Sequence, residues 1–220
     1  MFENSFPPSA RSALRRTEGG LLFEEKSMLK ETIIAKMIDF YRGNAEDISH
    51  FLKVYAFAHT IGGLEGLDAS ARDTLEIAAI VHDIACPLCR EKYGNTHGKH
   101  QEEESEALLE EFLREFALAG ERKERIIFLV THHHTYSGVD GMDYQILLEA
   151  DYLVNAAESE KYGKSWKAVR ENVFRTKTGI RFLEAEMGAG GENGDPLPRI
   201  LHYLSILRIK AAVLDSCSER

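Results

Sequence analysis

An all-α fold follows from three observations on this 220-residue chain. Apolar residues recur at three- and four-residue spacing through most of it, the period of a helix with one buried stripe. Runs of strict apolar–polar alternation, the mark of half-buried strands, are absent. Capping residues and glycine breaks cut the chain into segments of helical length, with no internal repeat. The expectation is a single helical bundle with an extension at each end.

Residues 1–26 mix Ser, Pro, Gly and Arg with a few apolar residues and show no period, so they are expected as an arm on a domain spanning 27–187. Ser27 is a capping residue for a first helix that ends near Phe40 or Tyr41 and is closed by Gly43, with Leu29, Ile33, Ile34, Met37 and Ile38 as its stripe. Asn44 followed by Asp47 opens a second helix to about Ile61. On it His50, Val54, Phe57, Ala58 and Ile61 share the inner face, and His59 points outward. The run GGLEGLD breaks the chain, and Asp68 or Ser70 caps a third helix ending in AAIVHDI.

Pro87 to about Lys99 is expected as a loop. Residues 101–118 are an acidic amphipathic helix with Leu108, Leu109, Phe112, Leu113 and Phe116 inside, its Glu run being a solvated face. A helix from about Glu121 carries Ile126, Ile127, Leu129 and Val130 into His132, His133 and His134. SGVDG at 137–141 is a turn. Helices follow over about 144–159, 164–175 and 178–187. GAGGENGDP makes 188–197 a linker, and 198–220 carries a terminal amphipathic helix expected to pack on the domain.

Acidic residues outnumber basic ones 36 to 27, for a net charge of −9, and no block of five Lys/Arg occurs. That argues against a nucleic-acid surface. No apolar run reaches the length of a membrane span and no export signal is visible. Three cysteines are too few for a disulfide framework and fit a reducing cytoplasm. Six of the nine histidines fall between residues 82 and 134, a density that packing does not require.

Four polar residues sit on stripes that should be apolar. His82 follows Leu75, Ala78 and Ala79 at helical spacing, and Asp83 is next to it. His50 lies on the inner face of the second helix. Asp151 falls four residues after Leu147 and three before Val154. A buried carboxylate is costly unless it is paired or metal-bound. Imidazole and carboxylate from several helices suit a divalent transition metal such as Fe, Mn, Zn, Co or Ni in a bundle core.

His50, then His82-Asp83 closing AAIVHDI, then Asp151 in EADYLV resembles the HD superfamily of metal-dependent phosphohydrolases, in order and in helical setting, over about residues 30–187. LVTHHHTY, GMDYQILLEADYLVN and FRTKTG resemble a prokaryotic subfamily of predicted hydrolases. The resemblance implies an all-α HD-domain bundle in which His50, His82, Asp83 and Asp151 bind one divalent metal. It also implies a candidate second-metal set in His100, His132 and His133, with Glu102 or Glu104 as alternative carboxylates. The implied activity is hydrolysis of a small phosphomonoester or nucleotide by a metal-activated water that Asp83 orients, with His132 or His133 as proton donor to the leaving group. Of the three adjacent histidines, His132 is placed first for the site, His133 second, and His134 outward. Many relatives carry Gly and Lys after the dyad, whereas this chain reads Ile84-Ala85-Cys86. Lys99 or Arg90 would therefore contact the phosphate. Two further functions stay open: a diiron HD-fold oxygenase, and a ligand-binding module clamped by a structural metal.

Cys86, Cys89, His97 and His100 invite a zinc reading, but the two halves stand closer than in a usual finger, and free thiols fit better. Trp166 and Tyr162 read as helix packing. Arg175, Lys177 and Lys164 read as solvated surface, or as contacts to an anionic substrate if their helices border the site.

Overall fold

The structure is a computed structural model and describes residues 18–188. The expected arm over residues 1–17, most of the linker and the terminal helix lie outside the described residues. Within them the chain is helical, with no strands. Helix α1 spans Glu18–Phe40, α2 Ala45–Leu64, α3 Ala69–Val81, α4 Cys86–Tyr93 and α5 Gly98–Phe112. These are followed by α6 Gly120–Val130, α7 Met142–Glu158, α8 Glu160–Lys164, α9 Trp166–Asn172 and α10 Lys177–Met187.

Helix α7 is the axis of the bundle. Residues 144–154 are all buried, as a helix enclosed by neighbours requires. It packs on α2 and α3, and α3 in turn packs on α1, α2 and α6. Phe51, Val54, Ala58 and Ile61 of α2, Leu75, Ala78 and Ala79 of α3, and Leu147, Ala150 and Leu153 of α7 share one core. Only Gln145, Glu149 and Asp151 interrupt the apolar run of α7. Glu149 is fully buried and accepts hydrogen bonds from the Arg175 amide at 2.6 Å, the Thr176 amide at 2.9 Å, the Gln145 side chain at 2.8 Å and the Thr176 hydroxyl. It thereby binds the chain between α9 and α10 to the central helix.

Several boundaries differ from expectation. Helix α1 already runs from Glu18, so Ser27 is an interior position rather than a cap, and residues 18–26 belong to a helix rather than an arm. Ile38 is exposed, and Tyr41 takes its place in the core. The expected loop after the dyad contains α4. Pro87 sits in its first turn, where the missing N–H costs nothing, and Gly94 ends it at φ 68°. Helix α5 stops at Phe112 and tightens into a 3-10 turn over Leu113–Glu115. Lys36 of α1 donates to the freed Phe112 carbonyl at 3.0 Å. The helix expected over 164–175 is two short pieces meeting at Ser165. Among the described residues, no helix is long and apolar enough to cross a membrane.

Candidate metal centre

Three parts of the chain converge beside α7. The Asp68 side chain caps α3 by accepting from the Ser70 and Ala71 amides at 2.9 and 3.0 Å. The apolar stripe of α3 then delivers His82, its C-terminal cap residue, into the core at 0% exposure. Asp83 lies in the tight turn that follows, where its carbonyl accepts from the Tyr41 hydroxyl at 2.5 Å and from the Cys86 amide at 2.9 Å. Helix α2 contributes His50 from its buried face. Helix α7 contributes Asp151.

The donor atoms crowd together. His50 Nε2 and His82 Nε2 are 3.3 Å apart. Each lies 3.5 Å from Asp83 Oδ2, and they stand 3.2 and 3.5 Å from Asp151 Oδ1. Two ligands bound at about 2.1 Å on one transition-metal ion are themselves about 3.0–3.4 Å apart, so the spacing fits a shared ion. The other carboxylate oxygen, Asp83 Oδ1, is 3.5 Å from His133 Nε2. Asp83, His133 and His134 form a second group whose ligand atoms lie within 4.8 Å of one another. Asp83 thus belongs to both groups, with its side chain 21% exposed.

The tautomers are set from outside the cluster. His82 Nδ1 faces the Ala79 carbonyl at 3.0 Å, and His133 Nδ1 faces the Val130 carbonyl at 2.6 Å. A carbonyl can only accept, so both Nδ1 atoms carry the proton and both Nε2 atoms present lone pairs. His50 Nδ1 donates to Glu158 at 2.8 Å. The His133 and His134 Nε2 atoms are buried without a hydrogen-bond partner among the described residues. Imidazole nitrogens and carboxylates aimed at a common point, with the Asn155 amide donating to Asp151 Oδ1 at 2.8 Å from the side, fit a divalent cation.

The electrostatics agree. Burial works against charge on His50, yet its hydrogen bond to Asp151 and the negative charge of Asp83 hold its pKa up to about 10, so without an ion His50 Nε2 keeps a proton that a divalent cation would displace. Asp83 is kept below the usual carboxylate range by the imidazoles around it, chiefly His82, despite full burial of its surroundings. Asp151 is lowered well below that range by the same kind of contact, hydrogen bonding from His50 and His82 outweighing burial. The cluster draws positive charge. His134 goes the other way: burial and the neighbouring His133 push it down to about 4, so it stays neutral.

Of the other candidates, His132 is not brought in. Helix α6 ends at Val130, so helical spacing no longer decides which histidine faces inward. The His132 ring instead stacks on Phe128 at 4.3 Å, with Nδ1 on the Phe128 carbonyl at 2.8 Å. His133 and His134 turn to Asp83, reversing the expected order. His100 stacks on Tyr93 at 4.0 Å and belongs to neither group. Neither alternative carboxylate reaches the site: Glu102 accepts from the His134 amide at 3.1 Å and the Thr135 hydroxyl at 3.0 Å, while Glu104 pairs with Lys92 and Tyr93. Lys99 points to solvent at 82% exposure, and Arg90 is engaged by both oxygens of Asp47 at 2.6 Å. Cys86 and Cys89 are buried free thiols. His59 is outward as expected but pairs with buried Glu76 at 2.8 Å.

Sequence reasoning passed over two residues that shape the centre, Glu158 and Gly98, and gave Glu102 another part, as a metal carboxylate. Glu158, which looks like an ordinary surface acid in the sequence, orients His50, and Glu102 fixes the turn carrying His133 and His134. Gly98 opens α5 directly under the His134 ring, where a Cβ would come within 2.5 Å of it. Only glycine admits that approach.

The comparisons agree with this geometry. The HD domain family matches residues 47–162, more than half the chain. The crystal structure of a predicted HD superfamily hydrolase from an uncultured Thermotogales bacterium is similar in fold, with a TM-score of 0.53 at 20% identity over 88% of this chain and 99% of that one. No curated protein matches significantly. With its His82-Asp83 dyad at the meeting point of three helices inside the matched segment, this chain belongs to the HD domain family.

Proposed function

We propose that the protein is a metal-dependent phosphohydrolase acting on a small phosphomonoester or nucleotide. The observation that carries the reading is the convergence of the Nε2 atoms of His50, His82 and His133 on the carboxylates of Asp83 and Asp151, neither of which has a Lys or Arg partner among the described residues. His50, His82, Asp83 and Asp151 would hold a first ion, and Asp83, His133 and His134 a second. A divalent ion in such a site supplies Lewis acidity and makes a coordinated water acidic enough to act near neutral pH.

The chain's own residues do the rest. Asp83 stays ionised and presents one oxygen to each group, so it can accept a hydrogen bond from a water at the site and orient it for attack. Glu158 and the Ala79 and Val130 carbonyls lock the imidazole tautomers, so no rearrangement is needed during turnover. His134, neutral at physiological pH, offers a lone pair rather than a proton.

The test is to strip the purified protein of metal, reload it with Mn, Fe(II), Co, Ni or Zn singly, and measure phosphate release from a panel of monoesters and nucleotides. Release that depends on metal and falls to background in Asp83→Ala supports the reading; no release with any metal overturns it. A second reading, an oxygenase with two irons, is favoured by one observation, the sharing of Asp83 between two donor groups. Oxygen uptake by the iron-loaded protein without phosphate release would select it.

A further inference from the structure

A cleft of about 470 Å³ opens beside α7, lined by Tyr136, Gln145, Leu148 and Arg175 among others. Leu148 lines it, and Asp151, three residues further along α7, is Leu148's neighbour on the helix surface, so cleft and metal-site carboxylate adjoin on α7. Tyr136, two residues after His134, also lines the cleft. Its hydroxyl has no hydrogen-bond partner among the described residues.

Arg175 is the one cation among the residues lining this cleft. Its guanidinium reaches the carbonyls of Phe174 at 2.7 Å, Asn172 at 2.6 Å and Glu171 at 3.2 Å. It has no carboxylate partner among the described residues. The other charged wall residue, Asp140, is already neutralised by a two-pronged contact with Arg125 at 2.8 Å. Backbone placement is firm, because buried Glu149 accepts the Arg175 amide at 2.6 Å. A guanidinium without a carboxylate partner, held by backbone carbonyls on the wall of a partly apolar cleft, is a receptor for an anionic group.

We propose that the cleft is the specificity subsite of the metal centre, taking the non-reacting part of the substrate: a flat or apolar body against Tyr136 and Leu148, ending in a carboxylate or phosphate held by Arg175. This deepens, and rests on, the phosphomonoester reading of the centre.

The experiment compares phenyl phosphate with 4-carboxyphenyl phosphate on the metal-loaded protein. Wild type should prefer the carboxylated ester about tenfold in kcat/KM, mainly through KM. Arg175→Met should remove that preference, and Arg175→Lys, which keeps the charge, should retain part of it. Calorimetry with phenylphosphonate and 4-carboxyphenylphosphonate reads the same discrimination without turnover. Equal affinity of the two phosphonates for wild type, or a preference unchanged in Arg175→Met, overturns the subsite and limits Arg175 to closing α9. Phosphonate discrimination without ester hydrolysis keeps the subsite and rejects the hydrolase reading; hydrolysis without discrimination does the reverse.

Discussion

His50 has only one free lone pair to give, and Glu158 decides where it points. The carboxylate accepts a hydrogen bond from Nδ1–H at 2.8 Å, which leaves Nε2 for the centre. Replacing Glu158 by Gln keeps the shape but weakens that hold, and outer partners of this kind are worth about 10–100-fold in metal affinity. Glu158→Gln should therefore weaken metal binding by about that range in a competitive chelator titration, with the fold unchanged by circular dichroism. Glu158 could not be read from the sequence because its partner lies 108 residues away and a helix-terminal glutamate looks solvated. The four residues read as ligands were legible for the opposite reason. His50, His82 and Asp151 each break the apolar stripe of a helix and Asp83 adjoins one of them, which is a local signal, and burial makes such a break expensive.

Local signals stop where helices stop. Helix period predicts which of several neighbouring residues face inward, but beyond Val130 the chain turns, with the Tyr144 hydroxyl between the carbonyls of His132 and Thr135 at 2.8 and 2.6 Å. His133 rather than His132 consequently turns to Asp83, a choice made by α7 and by Glu102 of α5. Helix α4 was missed because Pro87 reads as a breaker, although at a helix start it is neutral. Caps from distant elements escape in the same way. Glu65, beyond the end of α2, accepts the Thr178 amide at 2.7 Å and so caps α10. Hydrogen bonding from Thr178 holds the Glu65 carboxyl below its ordinary value of 4.5. The folded state thus binds this proton less readily than the unfolded chain. Its contribution to stability is present above the ordinary carboxyl value and is lost as pH falls through the lowered one. Glu65→Gln should lower the thermal midpoint at pH 7, and the gap from wild type should shrink on acidification below pH 4.

At the level of the whole molecule, the centre is a tie between segments far apart in the chain. Its donors come from α2, from the turn after α3, from the turn after α6 and from α7, and they include several of the costliest buried groups in the domain. An ion that binds only the folded arrangement stabilises it by mass action, about 2.7 kcal/mol at a hundredfold excess over Kd. For a domain of this size that corresponds to a rise of about 5–10 °C in thermal midpoint. Scanning calorimetry with and without chelator should show that rise for wild type and lose most of it in Asp151→Asn. A different tie, the Glu149 clamp, bears on the protein's history. Gly179 sits so close that a Cβ there would come within 2.0 Å of Glu149 Oε2, so neither residue can change alone without disturbing the other. Across relatives, positions 149 and 179 should drift as a pair, and lineages that have enlarged residue 179 should have shortened residue 149.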